Sequence, residues 1–68
     1  MTKDDFRFLV DCITTEWIAI MMENEEIDMQ TAMARTLGSH TYQLLCDAST
    51  ALSWQSAGYV YELYKQVG

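Results

Sequence analysis

His40, Cys46 and Asp47 are the nearest this chain comes to a nucleophile beside a base. A histidine activates a thiol only within hydrogen-bond reach of it. Cys46 follows His40 by six residues and Asp47 by seven, which turns Cys46 away from the helix face that carries His40. One histidine and two distant cysteines, Cys12 and Cys46, do not make a zinc set. The acidic run Glu23, Glu25, Glu26 and Asp28 offers the oxygens of a calcium loop without its central glycine. It reads as a solvated corner between helices. No catalytic residue, metal site, cofactor or small-molecule substrate is expected, and the chain is read as not an enzyme.

Gln30, Ala34, Gly38 and Leu44 fall near the positions that define a helix-turn-helix, with the helix after Ser39 entering the major groove. Phosphate contacts need cations. Arg35 is the only one between Arg7 and Lys65, and the supposed recognition helix offers only His40 and Gln43. A DNA-binding regulator built on residues 29 to 46 is therefore the alternative reading, and nucleic acid is not the favoured partner. Trp54, Tyr59, Tyr61 and Tyr64 concentrate near the end of the sequence. Stacking on single strands also wants basic neighbours, and only Lys65 is close. Trp54, Tyr61 and Tyr64 are expected in the core. Tyr59, at the edge of its stripe, is the candidate for an exposed protein contact.

These residues must be positioned by helices. The sequence has no proline and three glycines, so few breaks interrupt it. Helix 1 is predicted from about Lys3 to about Asn24, with Thr2 as N-cap and Asp4 and Asp5 at the positive end of the dipole. Asp28 caps a second helix, about Met29 to Leu37, with Ile27 folded back as a staple. Met29, Ala32, Met33, Thr36 and Leu37 share one side of it, and Gly38 is expected to close it in a left-handed conformation. Ser39 caps a third helix, about His40 to Cys46, with Tyr42, Leu45 and Cys46 inward. Asp47 to Gln55 is a loop pinned by Leu52 and Trp54. Ser56 caps helix 4, Ala57 to Val67, whose stripe is Ala57, Val60, Tyr61, Leu63, Tyr64 and Val67. The fold class is all-α: one small domain over residues 1–68, four helices with one long at the start.

Helix 1 is apolar on more sides than one core can use. At about 100° per residue, Phe6, Leu9, Val10, Ile13, Trp17, Ile20 and Met21 form a stripe for the core. It is expected to meet helix 4 through Phe6, Ile13, Trp17, Val60, Leu63 and Tyr64. Phe8, Cys12, Ala19 and Met22 form a second, narrower stripe opposite, with Ile18 beside it. A surface helix needs one apolar face, so the second must be covered by this chain or by a partner. The expectation is a protein-interaction module acting as a homodimer or accessory subunit. Phe8, Cys12, Ala19, Met22 and Tyr59 are its interface candidates.

Composition agrees. Apolar residues make up 50% of the 68, including two Trp, four Tyr, two Phe and five Met. A domain this size buries only about 60% of its unfolded surface, so part of that apolar supply is expected to close by self-association. Ten acidic against four basic side chains leave a net charge of −6, which repels nucleic acid and anionic membranes. The longest strongly apolar run, Trp17 to Met22, is far short of the ~20 residues of a membrane span. The opening Met-Thr-Lys-Asp-Asp-Phe lacks the basic and apolar regions of a signal peptide. Both cysteines lie among apolar residues and are expected as buried free thiols in a cytoplasmic protein.

Ile27-Asp28, Ala32-Met33, Thr41-Tyr42-x-x-Leu45 and Asp47-x-x-Thr50-x-Leu52-x-x-Gln55-Ser56-x-x-Tyr59-Val60-Tyr61 together form a phrase over about the last forty residues. It resembles a family of small uncharacterised bacterial proteins. In that family prolines stand where this chain has Ala48 and Ala57, and glycine where it has Ala51. The resemblance implies a helical fold without known chemistry and supplies no catalytic residue. Alanine at 57 keeps a helix start. Alanine at 51 is uncomfortable if the turn needs a positive φ.

Overall fold

The computed structural model describes residues 3–67. Four α-helices carry the fold: α1 (Lys3–Glu25), α2 (Met29–Leu37), α3 (His40–Leu45) and α4 (Ala57–Val67). Two 3-10 turns, Ala48–Thr50 and Leu52–Trp54, join α3 to α4, and no strand occurs among the described residues. Thr2, the expected first cap, lies outside them. α1 is the axis of the molecule, with α2 and α4 packed along it and α3 lying against α4.

The core is built where α1's wider stripe meets the other elements. Trp17, Met21, Ala32, Leu45 and Val60 are fully buried, joined by Val10, Ile13, Leu52, Ala57 and Tyr61. The Trp17 indole meets the Tyr64 ring edge-on at 5.5 Å, so the expected α1–α4 packing is present. Leu63 and Phe6 are half-buried against the same cluster. Val67, at the last turn of α4, has run past the core and is exposed.

The caps follow the sequence. Asp28 Oδ1 accepts the Thr31 amide at 2.8 Å, and the Thr31 side chain first and this amide second hold the Asp28 carboxyl below its ordinary 3.8. Ser39 Oγ accepts the Tyr42 amide at 3.1 Å and donates to Thr36 O at 2.7 Å. Ser56 Oγ accepts the Tyr59 amide at 3.2 Å. Ile27 packs against the core, as a staple should.

Left-handed backbone falls elsewhere than expected. Gly38 has φ −92°, while Glu26 (φ 54°) and Ala51 (φ 59°) occupy the positive region. Glycine at 38 serves a close approach instead: a Cβ there would stand 3.2 Å from the Ala34 carbonyl oxygen. Glu26 breaks α1 sharply enough for α2 to return along it. Ala51 takes the positive φ that makes alanine uncomfortable at this turn, at the cost of a crowded Cβ.

Several side chains face the other way from their expected positions, most of them through rotation about a short element. Six-residue α3 buries Thr41 and Leu45, one turn apart, so Cys46 is carried about 100° further and is exposed. Cys12 lies five residues before Trp17, about 140° round α1, and is also exposed. Leu52 and Ser53 turn inward in their 3-10 turn, which swings Trp54 out to 68% exposure. On α2 the small residues Ala32 and Thr36 are buried at the helix contact. Met29, Met33 and Leu37, on the neighbouring line, are left exposed.

Candidate interaction face

The second stripe of α1 begins one turn into the described chain. Phe8 is 67% exposed, and with Asp5, Leu9 and Trp54 it lines a shallow cavity of about 480 Å³. Two large aromatics, Phe8 from α1 and Trp54 from the 3-10 turn, are thus presented at one site. Cys12 follows one turn along α1 and Ala19 further on; both are exposed. Met22, the last member, is half-buried and packs against the core. Phe8 to Met22 spans fourteen residues, about 21 Å of helix. The chain therefore covers the Met22 end of its own second stripe and leaves the Phe8 end open.

What covers Met22 is α2. Thr15, Ile18, Ala19, Met22, Met29 and Met33 line a groove of about 280 Å³ between the two helices. Its floor is half-buried Ile18 and Met22, and its far wall is the exposed Met29 and Met33. Sequence periodicity grouped Met29 and Met33 with the buried side of α2. The signal that separates them is size: only Ala32 and Thr36 are small enough for close helix contact. Tyr59 lies apart from all of these. It is 52% exposed on α4, in a separate shallow groove with Glu62, Leu63 and Gln66.

Polar groups gather at other places. At the end of α1, Glu25 receives the Arg35 guanidinium at 3.0 Å on Oε1 and the Tyr61 hydroxyl at 3.1 Å on Oε2. The Tyr61 phenol is pushed above its ordinary 10.0 by burial first and by Glu25 second. Phe6, Arg7, Val10, Asp11, Tyr42 and Cys46 line a cavity of about 260 Å³. There the Tyr42 phenol is also raised, chiefly by its hydrogen bond with Cys46 and then by burial.

His40 is exposed at the start of α3, and no hydrogen bond among the described residues ties it to an acid or thiol. Among the described residues no three His, Cys, Asp or Glu side chains come together to hold a metal ion. Gln30, Ala34 and Gly38 lie on α2 and its corner with α3, and Leu44 is half-buried on α3. The exposed side chains of α3 include His40 and Gln43 but no cation, and Arg35 is engaged by Glu25. No helix among the described residues is long and apolar enough to cross a membrane.

No protein-family model, curated protein or solved structure matches this chain. The phrase from Ile27 to Tyr61 therefore rests on its own residues.

Proposed function

We propose that this chain is a non-enzymatic protein-interaction module that pairs with a second copy through the open end of α1's second stripe. The observation that carries the reading is the exposure of Phe8 and Trp54 side by side at one shallow cavity. Burying such a ring contributes roughly 1.5–3 kcal/mol, and aromatic anchors dominate the energetics of small interfaces. A monomer gains nothing by presenting two of them to water. Cys12 continues the face with a small side chain that lets a partner helix approach closely. A standard interface needs about 800 Å² from each partner, under a fifth of the 4486 Å² surface. A two-fold pairing through one face also closes on itself, so it gives a dimer rather than a fibre.

The two free exposed thiols provide a test, because one lies on the proposed face and the other does not. In a Cys46→Ser variant, a short bis-maleimide is expected to link two chains through Cys12 rapidly at low concentration. In a Cys12→Ser variant, the remaining Cys46 is expected to link slowly. Equal rates for the two variants would contradict pairing through this face.

A further inference from the structure

The methionine groove between α1 and α2 calls for a different occupant from the Phe8–Trp54 face. Its lining is almost wholly apolar: Ile18, Ala19, Met22, Met29 and Met33, with Thr15 at one end. Methionine side chains are unbranched and polarisable, and they adapt to anchors of varied shape. The rim is of one sign. Glu16 and Glu23 stand one turn either side of Ala19 on α1, and Glu26 lies just past its end. All three are exposed. The described cations with side chains in view are elsewhere. Arg35 is held by Glu25, Lys65 lies over the Tyr61 ring and beside Glu62, and Arg7 lines the cavity at Tyr42.

From this we infer that the groove binds a basic amphipathic helix supplied by a partner protein, apolar anchors in the methionine groove and Lys or Arg against Glu16, Glu23 and Glu26. The inference rests on the reading of this chain as an interaction module and names a partner for it. The rim decides the occupant. A second copy of this chain carries the same net charge of −6 and the same acidic rim, so it is repelled there. A cleft between two packed helices suits a third helix, whose ridge of anchors at i, i+3 or i+4 and i+7 fits between them. From Thr15 to Met22 the groove runs seven residues, about 10 Å, room for two or three such anchors.

The test uses synthetic helices on the full chain. The probes are a fluorescent Leu/Lys amphipathic peptide, a Leu/Glu peptide of the same pattern, and a Leu/Lys peptide of scrambled order. The amphipathic basic peptide is expected to bind saturably at micromolar concentration, and to weaken roughly tenfold as salt rises from low to physiological strength. The acidic peptide is expected not to bind, and the scrambled one to bind at least tenfold more weakly. Met29→Ser with Met33→Ser, both at exposed positions, should weaken binding about tenfold or more while leaving the helical spectrum unchanged. Glu16→Lys with Glu23→Lys should do the same. Equal binding of the scrambled or acidic peptide, or no saturation by the basic one, overturns the groove assignment. The Phe8→Asp variant separates this from the dimer: it is expected to lose self-association and keep peptide binding. A native chain that dimerises but takes no peptide refutes the groove alone. One that does neither refutes the interaction-module reading as well.

Discussion

Tyr61 and Glu25, thirty-six residues apart, are joined by a hydrogen bond of 3.1 Å from the phenol to Oε2. Because Arg35 donates to the other oxygen of the same carboxylate, the last residue of α1 ties both α2 and α4 to it. Glu25 is therefore a junction in a corner that composition alone reads as solvated charge.

The junction has a pH signature. The Tyr61 phenol is raised above 10.0 in the folded chain, by burial and then by Glu25, with Glu62 and Tyr64 adding in the same direction. The folded state thus keeps a proton that the unfolded chain releases. That stabilisation is complete below 10.0 and disappears as pH rises through the folded value. Urea midpoints are expected to be insensitive to this group at neutral pH and to fall above pH 10. In Tyr61→Phe the alkaline fall should be shallower, though Tyr42, raised by Cys46, keeps part of it. At pH 7 the same variant should lose about 1 kcal/mol through the missing bond.

Ala51 sits at φ 59° between the two 3-10 turns. Left-handed backbone costs a residue with Cβ about 1–2 kcal/mol, while glycine adds chain entropy worth about 0.5–1 kcal/mol. Ala51→Gly is accordingly expected to stabilise the fold by about 0.5–1 kcal/mol, measured as a higher urea midpoint at unchanged slope. Ala51→Val should lower it.

Trp17 is fully buried, yet its Nε1–H has no acceptor among the described residues. An unpaired buried donor costs about 1–3 kcal/mol. Trp17→Phe removes that donor and keeps a ring against Tyr64, so its loss should stay below about 2 kcal/mol. Trp17→Ala opens a cavity worth about 3–5 kcal/mol. In a domain of this size, with a few kcal/mol in all, that variant should be largely unfolded by circular dichroism.

Much of the architecture was legible because it is set by local signals. Asp28, Ser39 and Ser56 cap the helices that their sequence positions predict, and Trp17 lies at the centre of the stripe it was assigned to. What escaped was rotation about short elements. Periodicity does not say which of two adjacent lines on α2 docks, so Met29 and Met33 were grouped with Ala32 and Thr36. Nor does it show that a 3-10 turn buries Leu52 and presents Trp54. The left-handed position at Glu26 was hidden because a sharp reversal falls on a residue that does not advertise it, whereas the sequence does raise a positive φ at Ala51. Phe8, Cys12 and Ala19, read as a second stripe of α1, are exposed.

Pairing through the Phe8–Trp54 face is tested most directly by sedimentation equilibrium of the native chain and Phe8→Asp across a range of salt. The native chain should approach twice its 7.8 kDa mass, more readily as salt screens the −6 charges on each copy. Phe8→Asp should remain at 7.8 kDa with an unchanged helical spectrum. A native chain that stays at the single mass at high micromolar concentration and high salt would contradict the account.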